Sequence, residues 1–215
     1  MAVEIKFCGL TQPADASFAA SLGASYVGAI FAGGPRAITP ERAAELFEAA
    51  GGTARRVGVF GADRPADVAR AARAAALHVV QLHGDPTADY VARLREECDL
   101  TVWAVVRVAS GSAEERIVEL DGLADAIVLD AFAPERLGGT GKTFDWHRAA
   151  AWVRPRHASL VVAGGLTAQN VGEAIHTLAP DVVDVSSGVE SAPGIKDHQR
   201  MRAFAEAVRQ CTDRR

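Results

Sequence analysis

The chain has few cysteines, and their arrangement excludes two kinds of structural cross-link. Cys8, Cys98 and Cys211 are odd in number among 215 residues, widely separated and without CxxC spacing. This argues against both a disulfide framework and a structural zinc site. We therefore expect a protein of a reducing compartment, the cytoplasm.

The chain also lacks a basic excess and long apolar runs. Its 23 Lys and Arg residues face 27 Asp and Glu residues, a formal charge of -4, so no general positive field recruits nucleic acid or an anionic membrane. The start, MAVEIKFCGL, has no basic segment followed by a long apolar one, and later runs such as DAIVLDAF are too short to span a bilayer. We expect a soluble, unprocessed protein whose anionic ligands are held by local groups.

The length and composition fit one domain over residues 1–215, since 49% hydrophobic residues can build a sizeable core. Eight runs rich in Val and Ile predict buried strands. They are VEIKFC (3–8), YVGAIF (26–31), RVGVF (56–60), HVVQLH (78–83), TVWAVVRV (101–108), DAIVLD (125–130), SLVVAG (159–164) and VVDVSS (182–187).

Ala-rich stretches between these runs have helical spacing, and several begin with Pro or Thr, as helices often do. They include ADASFAASLG (14–23), PERAAELFEAA (40–50), PADVARAARAA (65–75), TADYVARLREE (87–97) and TAQNVGEAIHTL (167–178). Strands that are apolar on both faces and joined by helices indicate a parallel sheet. Eight unbroken repeats favour closure, so the prediction is a single-domain (β/α)8 TIM barrel at the short end of its usual length.

In such a barrel the chemistry lies at the carboxyl ends of the strands. That rule selects a small set of positions. They are Cys8, the FAGGPR loop ending at Arg36, His83, Arg107, Asp130, the LGGTGKTF loop, Gly164 with Gly165, and residues 186–188.

Three glycine-rich turns follow strands six, seven and eight: GGTG (138–141), AGGL (163–166) and SSG (186–188). Each alone is as consistent with a tight turn as with a ligand site. Glycine lets backbone N–H groups close around phosphate oxygens, and barrels commonly bind phosphate after strands seven and eight. Together the three turns predict a phosphorylated small-molecule substrate.

The string GTGKT (139–143), which overlaps the first of these turns, is similar to a nucleotide-binding P-loop. That motif needs glycine five positions before Gly141, where this chain has Arg136. We therefore reject a Walker A site.

Two strand ends offer acid and base candidates. Cys8 ends the first strand beside Gly9, where a nearby positive charge could stabilise a thiolate base. Asp130 ends the sixth strand across the ring, where a carboxylic acid could donate a proton. Taken alone, a cysteine is more often a buried apolar residue and an aspartate more often a cap.

Two further strand-end residues are candidate substrate contacts. Arg36 follows Pro35 and suits a paired contact with a carboxylate, although a solvated surface arginine is the usual alternative. His83 is interpreted as a polar residue of the barrel mouth. The spacing of His78 and His83 matches no common zinc motif, so no metal is predicted.

The motifs resemble one family along nearly the whole chain, the phosphoribosylanthranilate isomerases. The matching stretches occur in the family's order. They are KFCGLT (6–11), GPRAITPERA (34–43), VGVF (57–60), VQLHGD (80–85), LGGTGKTFDW (137–146), VAGGLTAQNV (162–171) and VDVSSGVESAPGIKD (183–197).

The resemblance implies a role for each of the candidate groups. It assigns the general base to Cys8, the general acid to Asp130 and the anthranilate carboxylate contact to Arg36. It assigns the phosphate site to the backbone of three turns, formed by Gly139, Thr140 and Gly141, by Gly164 and Gly165, and by Ser187 and Gly188.

The implied reaction is an Amadori rearrangement in tryptophan biosynthesis. It converts N-(5-phosphoribosyl)anthranilate to 1-(2-carboxyphenylamino)-1-deoxyribulose 5-phosphate and needs no redox cofactor and no metal. The expected partner is this small phosphorylated substrate, with no nucleic acid and no membrane, and the protein is expected to be a monomer or homodimer.

Two positions depart from the family's pattern. Gly34 stands where Ser is frequent, which could loosen the loop before Arg36, and Phe7 stands where Ile is common. Because neighbouring residues of a strand point to opposite faces, Phe7 should not disturb the Cys8 thiol.

Three alternatives remain open. A related aminoaldose isomerase of histidine biosynthesis would be expected to carry a carboxylate where Cys8 stands. A ribulose-phosphate epimerase would bring metal-binding His and Asp residues that we cannot place. A phosphate-binding scaffold without catalysis would not need both Cys8 and Asp130.

Overall fold

Eight parallel strands close into a barrel in which β1 pairs with both β2 and β8. The computed structural model describes residues 2–108, 112–131, 144–153 and 156–212. The strands are β1 Glu4–Phe7, β2 Tyr26–Ile30, β3 Arg55–Phe60, β4 Val79–Leu82, β5 Thr101–Arg107, β6 Ala126–Asp130, β7 Ser159–Val162 and β8 Val182–Val185. The predicted (β/α)8 barrel is confirmed.

Helices follow the strands and cover the outside of the barrel. They are α1 Pro13–Ser21, α2 Pro40–Ala50, α3 Pro65–Ala74, α4 Ala88–Glu97, α5 Ala113–Leu120, α6 Trp146–Ala150, α7 Val171–Leu178 and α8 His198–Thr212. The expected starts are present: Pro opens α1, α2 and α3, and the Thr87 side chain caps α4 by accepting from the Tyr90 N–H. None of the helices within the described ranges is both long and apolar enough to cross a membrane.

Some predicted boundaries were wrong by a few residues. Strand β1 ends at Phe7 rather than Cys8, although the Cys8 N–H still donates to the Val185 carbonyl at 2.9 Å. Helix α7 begins at Val171 rather than Thr167, because the Asn170 side chain accepts from the Thr167 N–H at 2.8 Å and holds those residues in a turn.

Alternation along the strands separates two apolar regions. One fills the barrel interior and the other lies between the strands and the helices. The interior set is Tyr26, Val57, Val79, Trp103, Val105, Ala126, Val128, Val161, Ala163 and Val182. Phe7 belongs to the outer region and meets the Phe204 ring of α8 edge-on at 6.2 Å, so it points away from Cys8 as predicted.

After β8 the chain forms structure that the sequence analysis did not predict as strand. Residues Ser187–Val189 make one 3-10 turn, so the predicted strand end at Ser187 was two residues too long. A small antiparallel hairpin follows, formed by β9 Glu190–Ala192 and β10 Ile195–Lys196. This hairpin carries two charged side chains to the rim of the barrel.

Candidate active site

A pocket of about 820 Å³, its open mouth included, lies at the carboxyl ends of the strands. This size is typical of sites for small organic ligands. Eight of the predicted site residues line it: Cys8, Arg36, His83, Asp130, Gly164, Gly165, Ser187 and Gly188. Three others, Gly139, Thr140 and Gly141, lie outside the described residues.

Asp130 lies on the pocket wall at the end of β6, where its side chain is 15% exposed. Desolvation, together with the negative charge of Asp184, raises the pKa of its carboxyl to about 6, against the opposing effects of the Ala131 N–H and nearby cations. Its Oδ2 lies 3.6 Å from Nε2 of His83. At pH 7 this pKa leaves about one tenth of the carboxyl protonated, far more than for an ordinary aspartate.

His83 lies beside Asp130 as a neutral imidazole. Desolvation, with the charges of Arg107 and Lys6, lowers its pKa to about 4. Nη2 of Arg107 donates to the His83 carbonyl at 3.1 Å, and the His83 N–H donates to the Phe60 carbonyl at 2.8 Å. His83 is thus a polar, uncharged mouth residue, in agreement with its interpretation from the sequence.

Cys8 lines the same pocket, directly after β1, and is buried. Burial raises the pKa of its thiol, and the positive charge of Lys6 acts in the opposite direction. The neutral thiol is therefore the main form at rest. The thiolate expected from the sequence is a minor form that nearby cations favour.

A buried charge network below the pocket was missed by the sequence analysis. Nζ of Lys6 donates to Oδ2 of Asp184 at 2.6 Å and to Oε1 of Gln81 at 2.8 Å. Desolvation is the largest single effect and would lower the Lys6 pKa, but the interactions with Asp184 and Cys8 together outweigh it and hold that pKa above its ordinary value. The only sequence signal was a lysine inside an apolar strand, two residues before Cys8, where the side chains share a face.

Arg36 is buried and already paired with a carboxylate of the chain itself. Its Nε and Nη2 donate to the two carboxylate oxygens of Glu190 at 2.8 and 2.6 Å. Lys196 of the same hairpin donates from Nζ to Glu190 at 2.8 Å and to the Ser186 carbonyl at 3.1 Å. Arg36 was predicted from the sequence as a site residue, but its partners Glu190 and Lys196 were not.

The glycine turns after β7 and β8 are packed against each other. Gly164 and Gly165 have φ values of +80° and +69°, a region that suits glycine. A Cβ atom on Gly188 would lie 1.9 Å from the Leu166 carbonyl oxygen, so no side chain fits there. Nδ2 of Asn170, just before α7, donates to the Gly165 carbonyl at 3.0 Å and fixes the turn.

Within the described part of the chain, no group of three or more His, Cys, Asp or Glu side chains is placed to hold a metal ion.

The closed eight-stranded barrel, with its polar pocket at the carboxyl ends of the strands, defines the class as (β/α)8-barrel enzymes. The family model of N-(5'-phosphoribosyl)anthranilate isomerase matches residues 5–207. The chain therefore belongs to this family, and it is an isomerase of tryptophan biosynthesis.

Known relatives and solved structures resemble the chain over almost its full length. The N-(5'-phosphoribosyl)anthranilate isomerase of Ralstonia pickettii is 40% identical over 96% of this chain and 92% of its own. The phosphoribosylanthranilate isomerase structure from Thermotoga maritima has a TM-score of 0.89 and 36% identity, covering 97% of this chain and 99% of the other. Another isomerase structure, in complex with reduced 1-(o-carboxyphenylamino)-1-deoxyribulose 5-phosphate, has a TM-score of 0.85 and 33% identity, with the same coverage.

Proposed function

We propose that Cys8 and Asp130 carry out the Amadori rearrangement of N-(5'-phosphoribosyl)anthranilate as base and acid. Asp130 protonates the ribose ring oxygen, the bond from C1 to that oxygen breaks, and an iminium ion forms between C1 and nitrogen. The Cys8 thiolate then takes the C2 proton to give an enolamine. As the C2 hydroxyl loses its proton and C1 gains one, the aminoketone product forms.

One observation supports this proposal most directly: two titratable groups, one directly after β1 and one at the end of β6, line one pocket in different environments. The raised pKa of Asp130, about 6, suits a group that must hold a proton near neutral pH. The charge of Lys6 favours the thiolate of Cys8. One positioned acid or base typically contributes about 10²- to 10⁴-fold to a rate.

Arg36 has the chemistry to hold the substrate's carboxylate despite its pairing with Glu190. A guanidinium has five N–H donors, and Glu190 occupies one on Nε and one on Nη2. The edge formed by Nη1 and Nη2 can therefore bind a second carboxylate in a paired contact. We assign the anthranilate carboxylate to that edge.

The phosphate is assigned to the glycine turns that line the same pocket, Gly164 with Gly165 and Ser187 with Gly188. The turn of Gly139, Thr140 and Gly141 belongs to the same proposal from the sequence alone. His83 is assigned a polar contact with the substrate beside Asp130.

The proposed partner is one phosphorylated small molecule, without nucleic acid, in a cytoplasmic monomer or homodimer. The formal charge of -4 supports this choice over a polyanionic partner.

The test is a fluorescence assay that follows the loss of freshly generated phosphoribosylanthranilate with chelator present. Wild type, Cys8→Ala and Asp130→Asn are compared with the spontaneous background. Loss by wild type alone is expected, with both variants still binding the reduced product analogue. Near-normal turnover by either variant would refute the role of its residue, and turnover only of the histidine-pathway aminoaldose would refute the assigned substrate.

A further inference from the structure

Lys6 is a charged residue of the barrel interior that neither gives nor takes a proton in the reaction above. Its side chain is fully buried, and it stands in register with Asp184 on the neighbouring strand β8. An ammonium has three N–H bonds, of which Gln81 and Asp184 accept two. The Cys8 side chain lies near this ammonium, whose positive charge favours the thiolate.

Gly28 of β2 makes this arrangement possible. A Cβ atom on Gly28 would lie 3.1 Å from Sγ of Cys8 and 3.1 Å from Cε of Lys6. Both side chains therefore occupy the space that any larger residue on β2 would fill. The lysine lies below the sulfur on the same inward face of β1, and Cys8 lines the pocket above it.

The stability of the fold does not explain a lysine at this position, because buried ion pairs seldom add net stability over apolar residues. An ammonium next to a sulfur that must become negative has a clear electrostatic effect, because charges interact strongly where water is excluded. The charges that face Cys8 are those of Lys6, Asp184, Lys196 and Arg36, and Lys6 is the largest favourable one.

We propose that Lys6 is a positioning residue for catalysis, which stabilises the Cys8 thiolate from beneath the pocket without touching the substrate. Gln81 and Asp184 hold its ammonium against the sulfur. This inference rests on the proposed role of Cys8 as the base.

The test measures the thiolate directly through the pH dependence of Cys8 alkylation by iodoacetamide, with Cys8 distinguished from Cys98 and Cys211 by peptide mass spectrometry. Lys6→Met should raise the midpoint by at least one pH unit, which is about a tenfold loss of thiolate below it. A similar loss of kcat/KM is expected, with the affinity for the reduced product analogue changed less than threefold. Arg156→Met removes a more exposed ion pair, with Asp181, at the other end of the barrel, and its midpoint should equal that of wild type.

Lys6→Met leaves Asp184 buried without its cation, so a second variant, Lys6→Met/Asp184→Asn, removes both charges. Its midpoint should also be raised, by less, because the lysine acts on the sulfur more strongly than the aspartate. An unchanged midpoint in whichever of these variants folds would overturn the proposal. A shifted midpoint combined with normal turnover by Cys8→Ala would instead overturn the role of Cys8 as base and leave the lysine contact intact.

Discussion

Asp130 places a titratable carboxyl in a site that favours its neutral form, and this has a consequence for stability. Its pKa rises from an ordinary 3.8 to about 6 on folding. A carboxyl of this kind contributes most to stability below its unfolded pKa, and the contribution is lost as pH rises through the folded pKa. The ionised form therefore destabilises the fold at pH 8.

We expect Asp130→Asn to abolish most turnover and yet to stabilise the protein at pH 8 by up to about 3 kcal/mol. Urea unfolding at pH 8 and pH 4 measures this, and the gain should vanish at pH 4. Asp89→Asn, an exposed carboxyl paired with Arg93, serves as the control with no gain. Equal effects of Asp130→Asn at both pH values would show that the carboxyl is not perturbed.

The proposed acid and base also predict a particular pH profile. The active form carries a Cys8 thiolate and a protonated Asp130, although the thiol has the higher pKa. The population of this form is constant between the two pKa values, falls below pH 6 with the thiolate, and falls above the thiol pKa with the protonated acid. We expect kcat/KM to be flat between these limits.

The substrate phosphate also titrates near pH 6, so kinetics alone do not assign the lower limb. Carboxyl NMR of the free protein, compared with Asp130→Asn, should show one aspartate with a midpoint near pH 6. Its absence would contradict the assignment of the lower limb to Asp130.

Arg36 gives a prediction about binding. In Arg36→Lys one ammonium cannot serve both Glu190 and a substrate carboxylate in paired contacts. We expect KM to rise at least tenfold and kcat to change less than threefold. The matched control is Arg42→Lys, whose exposed arginine pairs with Glu45. A fall in kcat at unchanged KM would argue against the carboxylate contact.

The sequence located the residues of the pocket wall better than those beneath it. Cys8 and Asp130 were found because strand ends in a parallel barrel meet at one mouth, a rule that needs only the strand positions. The pair of Lys6 and Asp184 joins residues 178 positions apart, and the contact exists only because β8 closes against β1. No local pattern carries that information.

At the scale of elements, the strands were predictable because all are apolar runs buried on both faces. The hairpin of β9 and β10 could not be predicted from the sequence, because its strands are only three and two residues long. Its charged residues are also of a type that is usually exposed. Glu190 is buried by tertiary contacts with Arg36 and Lys196. Glu190, the partner of the buried Arg36, thus belongs to a hairpin whose sequence shows no periodic pattern.

The close packing of the two glycine turns gives a prediction at this scale. A Cβ on Gly188 would meet the Leu166 carbonyl oxygen at 1.9 Å, so Gly188→Ala must push the turn after β8 away from the turn after β7. We expect the dissociation constant for inorganic phosphate, measured by calorimetry, to rise at least tenfold. Gly52→Ala adds the same methyl group in open space and should leave it unchanged. Equal phosphate affinities of the two variants would refute the assignment of the phosphate site to these turns.

At the scale of the whole molecule, the pocket joins the two ends of the chain. Most of its lining comes from β1, β2 and the loops after them near the start and from the segments at β7 and β8 near the end, and the barrel closes between β1 and β8. A ligand that contacts Cys8, Arg36 and Gly188 together would therefore connect both sides of that closure. Such a ligand should stabilise the barrel as one unit rather than one half of it.

We expect the reduced product analogue, at about 100 times its Kd, to stabilise the folded chain by about 2.7 kcal/mol. For a chain of this size that corresponds to a rise of roughly 5–10 °C in Tm. Calorimetry should show a single unfolding transition that shifts as a whole to higher temperature. The shift should be the same for wild type and Cys8→Ala, and the same with chelator present, because binding depends on neither the basicity of the thiol nor a metal. A transition that splits on ligand addition would mean that the ligand holds only one side of the barrel, and the pocket would then not be the joint site inferred from its lining.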